Sequence, residues 1–303
     1  MAVADPHNIA TDTGICPQDN VDMRKTSDPQ QRAVPSRGYA IRDDGTWVVY
    51  GFAEVRQILR SEAVRQAGFA SETVDSVASE RMKNMPLIFM DGPEHNRARR
   101  ETNRFFTPTI TEKSYRDFMD AFADDLMAKL KEKKRVDLSD LSMEMAVRVA
   151  SQVVGLTNSL FAKGLTRRLE ALIDTGDRAL KAESNLINTL RAQVDTLLFY
   201  WLDVLPAIRA RRKQPQNDVI SYLIERDYNS LEIMMECIVY GVAGMVTTRE
   251  FISVALWHLL EHPQLLERMK VGEQAERYAI LHEILRLEPV VSHLYRRTRS
   301  EEH

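Results

Sequence analysis

Ala243-Gly244-Met245-Val246-Thr247-Thr248 lies midway along an apolar run, and the reading of that run decides the fold. From Ile233 to Val246 nearly every position is apolar. A helix that is hydrophobic all round runs through a core rather than over it. The pattern predicts one helix from about Leu231 to Glu261, about 45 Å long at 1.5 Å per residue, with Ser230 as its N-cap. His262-Pro263 ends it. Ala243 and Gly244 remove bulk from one turn, so a flat ligand or another backbone can come close. Thr247 and Thr248 add hydroxyls that can bond back to the preceding turn. Ordinary small-residue helix packing remains an equal reading of these six residues.

Outward from this spine the chain reads as almost wholly helical. Thr111 is placed to cap a helix whose Tyr115, Phe118, Phe122, Leu126 and Leu130 share one face. A second helix runs from about Leu141 through Met145, Val149 and Val153. A helix-rich stretch from Leu169 to Arg212 ends in Arg209, Arg211, Arg212 and Lys213, read as a solvated helix end whose cations suit the macrodipole. Pro215-Gln216-Asn217 breaks the chain before a short helix from Asp218 to Glu225. Near the start, Gly45-Thr46-Trp47-Val48-Val49-Tyr50-Gly51 reads as a short strand bounded by turn residues. Residues 1 to about 35 are polar and aperiodic, a mobile lead-in.

Composition narrows the function classes. With 44 acidic against 41 basic side chains, the chain lacks the basic excess expected where nucleic acid is the main partner. Cys16 and Cys237 make no metal or redox spacing, which favours a reducing, cytoplasmic compartment over a disulfide-built secreted protein. The amino terminus carries no signal pattern, and the apolar run Leu197 to Leu205 is far short of the roughly 20 residues that span a bilayer. The expectation is a soluble protein without a membrane anchor.

Two further strings carry chemistry. Asp91-Gly92-Pro93-Glu94-His95 leads to Arg99, so His95 and Arg99 stand four apart on one helical face. Such a pair of cations suits an anion between them, and arginine offers a planar fork for a carboxylate. The bland alternative is a solvated basic face made by Arg97, Arg99, Arg100 and Arg104. Phe105-Phe106-Thr107-Pro108 follows directly. Downstream, Glu283 and Arg286 can pair at i, i+3 on an apolar helix closed by Pro289. Leu294-Tyr295-Arg296-Arg297-Thr298 comes after it. His258 and His262 share a face but lack a third ligand nearby, so they read as an ordinary helix end rather than a metal site. Cys237 reads as a small buried hydrophobe.

In this order and spacing, the three strings resemble the distal-helix, propionate-clamp and ion-pair motifs of the cytochrome P-450 haem-thiolate monooxygenases, soluble bacterial type. The resemblance runs from about residue 40 to the end. It implies a mainly α fold, a helical prism with a small N-terminal β-sheet, and one domain over residues 36–303 that is incomplete at its C-terminus. It implies haem (heme) as cofactor, with Ala243 and Gly244 over its distal face and Thr247 as the catalytic residue that helps deliver protons to bound oxygen. His95, Arg99 and Arg296 would hold propionates, with Arg297 one place away as an alternative to Arg296. Glu283 and Arg286 would form a buried structural ion pair. Leu87, Ile88, Phe89, Val239 and Val290 would line an apolar substrate pocket. The chain departs from the pattern at Val246, which stands where an acid usually precedes the threonine and can neither take nor give a proton. Glu250 is the nearest acid in sequence.

The family's axial cysteine lies beyond the position of His303, so the resemblance also implies a C-terminally truncated form without its own thiolate ligand to the iron. In complete form the expected activity inserts one oxygen atom from O2 into an apolar small molecule. Electrons would come from a ferredoxin and its NAD(P)H-dependent reductase. As it stands, the chain is expected to be inactive and open to non-native oligomerisation through an exposed proximal side. Two other readings stay open: a haem-free cytochrome P-450-like partner or activator of another enzyme, and a haem binder with a non-thiolate ligand such as His293.

Overall fold

The structure, a computed structural model, describes residues 39–43, 45–67, 82–133, 135–161, 164–180, 186–291 and 293–299. The expected lead-in over residues 1 to 35 lies outside them. Contacts divide the described residues into two units, one reaching to Val64 and rejoined by Thr298 and Arg299, the other Arg65–Arg297. In the first, β1 (Tyr39–Ile41) pairs antiparallel with β2 (Trp47–Val49), Tyr39 opposite Val49 and Ile41 opposite Trp47. Gly45, at φ 79°, makes the turn between them. The helix α1 (Phe52–Arg60) follows.

The larger unit starts within β3 (Val64–Gln66) and ends within β4 (Arg296–Thr298), which pair with each other. Between them come a 3-10 turn (Leu87–Phe89), α2 (Gly92–Asn103), and a helical turn (Pro108–Ile110) that passes through a π-helical turn (Thr111–Tyr115) into α3 (Arg116–Glu132). Then follow α4 (Leu138–Val154), α5 (Leu165–Leu180) and α6 (Leu186–Phe199). A second π-helical turn (Tyr200–Val204) joins α6 to α7 (Leu205–Lys213), and α8 (Val219–Glu225) comes next. The unit closes with α9 (Ser230–Glu261), α10 (Pro263–Val271) and α11 (Gln274–Leu287).

The expected spine is α9. Its N-cap is Asn229 rather than Ser230. The Asn229 side chain accepts the Leu231 and Glu232 N–H groups at 2.9 and 3.0 Å, and the Glu232 carboxylate accepts the Asn229 N–H at 2.8 Å. This reciprocal box needs an acid three residues after the cap, which Asn229 has in Glu232. Likewise Thr107, not Thr111, caps the turn before α3, because Pro108 is preorganised for the first helical position.

Ile233, Cys237, Gly241 and Met245 of α9 are buried, and with Val147 and Val154 of α4, Leu169 of α5, and Phe199, Val204 and Ile208 they form the main core. A smaller cluster joins Ala255 and Leu259 of α9 to Ile280 and Ile284 of α11. By length and composition α9 passes for a membrane-crossing helix, with mean hydropathy 1.4. Of that apolar window, 39% is buried.

The basic end of α7 is not wholly solvated. Arg209, Arg212 and Lys213 are exposed, but Arg211 is 2% exposed. Its Nε donates to Asp218 Oδ2 at 2.5 Å, Nη1 to Asn158 Oδ1 at 2.5 Å and Nη2 to Thr157 Oγ1 at 2.8 Å. Helical periodicity explains the correction, because Arg211 shares its face with buried Val204, Ala207 and Ile208. A second buried node places Arg168 of α5 in bidentate contact with the fully buried Asp203, at 2.6 and 2.7 Å.

Candidate functional site

Tyr240, Ala243 and Thr247 recur at helical spacing on one side of α9. The Tyr240 ring stacks on Phe106, centroids 5.5 Å apart and planes at 15°. That contact brings the carboxyl end of α2 onto this side of the spine. Burial pushes the Tyr240 hydroxyl up to about 12, with the Glu236 carboxyl adding to the rise, while Thr102 and the Arg99 charge oppose it. Arg99 therefore lies within electrostatic reach of α9. It is exposed and His95, one turn before it, is half-buried; neither side chain hydrogen-bonds a described residue.

Arg296 is brought to the other end of α2. Its Nη1 donates to Gln66 Oε1 at 2.5 Å and to the Tyr295 carbonyl at 2.7 Å. The Gln66 N–H in turn donates to Asp91 Oδ2 at 3.1 Å, and Asp91 precedes α2 directly. So the fold gathers His95, Arg99 and Arg296 around one helix, although Arg296 is about 200 residues away in sequence. Arg297 is exposed.

Along the small-residue stretch, adjacent residues face different ways. Ala243 is exposed, whereas a Cβ built on Gly244 would meet Ala150 Cβ of α4 at 3.6 Å. The glycine therefore lies where α4 approaches, and Ala243 is the small residue on the open side. A separation of 3.6 Å is ordinary van der Waals contact, so Gly244→Ala should fit and raise stability by about 0.5–1 kcal/mol through helix propensity. Urea unfolding of that variant checks this; a lower midpoint would mean that α4 cannot tolerate the methyl. Thr247 Oγ1 donates to the Ala243 carbonyl at 2.7 Å. Val246 is half-buried, and Glu250 is held by Arg249 at 2.6 and 2.9 Å.

Of the expected pocket residues, Leu87 is buried, while Ile88, Phe89, Val239 and Val290 are half-buried. Leu87 is held by a residue that reading the spine as uniformly apolar passed over. Glu236, 3% exposed, accepts the Leu87 N–H through Oε1 at 2.9 Å. Burial pushes its carboxyl up to about 7, against the stabilising Leu87 N–H. Glu232, one turn earlier, is also buried. Burial would raise its carboxyl, but N–H donors from Asn84, Asn229 and Lys83 outweigh that and hold it below the usual carboxylate range. Two acids four residues apart inside an apolar run were the available signal.

Glu283 and Arg286 do pair, Nη2 to Oε1 at 2.7 Å and Nε to Oε2 at 2.8 Å. Their side chains are 57% and 66% exposed, so the pair is not buried as the resemblance implies; it occupies the outward face of α11, opposite Ile280 and Ile284. The His258 and His262 rings stack at 6.0 Å, and among the described residues no three His, Cys, Asp or Glu side chains cluster as a metal site. Cys237 is wholly buried in the main core, where burial pushes its thiol well above the ordinary range.

No family model matches the chain. It is 27% identical over 234 residues to the "Biotin biosynthesis cytochrome P450" of Bacillus subtilis (strain 168), covering 74% of this chain and 56% of that protein. It is 25% identical over 264 residues to the "Steroid C26-monooxygenase" of Rhodococcus jostii (strain RHA1), covering 84% and 54%. The chain is a relative of the bacterial cytochromes P450. It spans about half the length of the curated relatives it matches.

The mainly helical architecture with its small β element is the cytochrome P450 fold. The crystal structure of CalO2 superposes with a TM-score of 0.67 at 20% identity, covering 83% of this chain and 63% of that one. P450BioI, solved with an acyl carrier protein bearing hexadec-9Z-enoic acid, gives 0.60 at 22% identity, covering 79% and 62%.

Proposed function

We propose that this chain contributes the distal wall and propionate rim of a haem-dependent monooxygenase that inserts one oxygen atom from O2 into an apolar small molecule. The observation that carries the reading is that Arg99, without a hydrogen bond to a described residue, lies within electrostatic reach of the α9 side that exposes Ala243, while Arg296 is tied through Gln66 and Asp91 to the start of α2, the helix that carries Arg99. These residues fit the group. The cations suit two carboxylates, and a methyl side chain at Ala243 leaves room for a flat ring. Haem, when bound, would supply the oxygen and electron chemistry.

The chain's own residues have simpler tasks. Arg99 and His95 bind one carboxylate edge, and Arg296 the other, with Gln66 and the Tyr295 carbonyl fixing the Arg296 fork. Thr247 keeps its proton on the Ala243 carbonyl and would turn it toward a bound ligand. Apolar Val246 and the Arg249-paired Glu250 leave proton supply to Thr247 and water. Val239, Ile88 and Phe89 provide the apolar wall for substrate, and a ferredoxin with its NAD(P)H-dependent reductase supplies electrons. The axial thiolate is not Cys237.

Haemin titration tests this, read by the Soret band and then by reduction under carbon monoxide. Saturable one-to-one uptake is expected, weakened about ten- to hundredfold by Arg99→Ala, since a charge-assisted hydrogen bond contributes about 1.5–3 kcal/mol. A strongly red-shifted carbonyl band would mean a cysteine of this chain reaches the iron after all. Absence of saturable uptake would sink the reading in favour of a haem-free partner protein.

A further inference from the structure

Glu232 and Glu236 stand one turn apart on α9, and both reach the stretch Lys83–Leu87 that enters the 3-10 turn Leu87–Phe89. Glu232 Oε1 accepts the Lys83 and Asn84 N–H groups at 2.6 and 2.8 Å, and Oε2 accepts the Asn84 side-chain amide at 3.1 Å. Glu236 Oε1 accepts the Leu87 N–H at 2.9 Å. The two carboxyls are 1% and 3% exposed, and among the described residues no cation pairs with either. Carboxyls buried without a cation are costly, and the core packing of α9 does not need them. What they do is satisfy backbone donors of an irregular segment that has no ladder of its own.

The two contacts differ. Glu232 also closes the capping box, so its position is fixed by the start of the helix. Glu236 makes one hydrogen bond, and its Oε2 has no partner among the described residues. Leu87 is thus tethered one turn before Val239 and Tyr240, on the side of α9 that continues to Ala243. The residues after the tether are Ile88 and Phe89.

We propose that Glu232 and Glu236 form a two-point latch that positions the Leu87–Phe89 turn over α9, and that the latch thereby sets the size of substrate accepted beside Val239. The second half rests on the substrate wall proposed above; the first does not. Both acids are positioning residues, since neither faces the proposed ring.

Two substitutions separate the latch from general stability. Glu236→Leu keeps the volume, removes the acceptor and relieves a buried carboxyl, so the fold is not endangered. Glu236→Gln keeps an acceptor for the Leu87 N–H. Hydrogen exchange of the 303-residue chain is followed in the peptide spanning residues 82–90, with peptides from α4 and α11 as controls. The Leu87 amide should exchange at least tenfold faster in Glu236→Leu, near the wild-type rate in Glu236→Gln, and the controls should not change. Wild-type protection in Glu236→Leu overturns the latch. Should the leucine disturb the controls, Glu236→Ala gives the same reading.

Selectivity is then measured with decanoic and hexadecanoic acid as probes, followed by tryptophan fluorescence. The ratio of their dissociation constants should change more than fivefold in Glu236→Leu and stay constant in Glu236→Gln. Faster exchange with an unchanged ratio overturns the selectivity half alone. If neither acid binds the wild type, the substrate wall fails and the exchange result still decides the latch.

Discussion

Asp218→Ala should lower the free energy of unfolding by about 3–5 kcal/mol, the loss expected when one partner of a buried ion pair is removed. Asp218 is 4% exposed, and both of its oxygens are committed. Oδ2 accepts Arg211 Nε at 2.5 Å, and Oδ1 accepts the Ser221 N–H at 2.8 Å as the N-cap of α8. Alanine leaves the Arg211 guanidinium 2% exposed, with only the neutral oxygens of Thr157 and Asn158 around it. It also removes the cap. Asp218→Asn keeps shape and cap but not charge, and should cost roughly half as much. Urea unfolding followed by circular dichroism ranks the three. Coincident midpoints for wild type and alanine would show that Arg211 finds solvent easily. Adding Arg211→Met to Asp218→Ala should recover much of the loss, because apolar replacements of a buried pair are often neutral.

The second large effect concerns pH. The Glu236 carboxyl is pushed up to about 7 by burial, from an ordinary 4.5. Between those values the folded protein holds a proton that the unfolded chain has released. Stability is therefore greatest below 4.5 on this account and is lost as pH rises through 7, by about 3 kcal/mol in all. From pH 6 to pH 8 the loss is about 1.4 kcal/mol, or about 3–5 °C in melting temperature for a unit of this size. Glu232, held below 4.5, contributes stability that is lost only as pH falls further, outside that window. Glu236→Gln cannot titrate, so its melting temperature should vary less between pH 6 and 8. Parallel slopes for the two proteins would assign the pH dependence to other groups.

The spine was legible because an apolar run of that length has few other uses, whereas the packing of Phe106 after α2 on Tyr240 of α9 was not readable from the string that contains it. The caps were misplaced by one to four residues, although the acid three residues after Asn229 and the proline after Thr107 were signals that single out the true caps. Arg211 was read from its neighbours in sequence, Arg209, Arg212 and Lys213, when its helical phase pointed inward. Glu236 was absorbed into an apolar average, and what it binds lies about 150 residues upstream. For the candidate site, residue types were readable but the tie from Arg296 through Gln66 to Asp91 was not, because β3 and β4 meet only in the folded chain.

The π-helical turn at Tyr200–Val204 acts as a register marker. A π turn holds one residue more than the hydrogen-bonding pattern of an α-helix needs. Winding those five residues as ordinary α-helix, with none removed, would rotate everything beyond them by about 100°. Ala207 and Ile208 would leave the core and Arg211 would swing away from Asp218. Pairing this chain with a relative that lacks the bulge therefore calls for a one-residue gap at that point, and an ungapped pairing would assign every inward position of α7 to the wrong side.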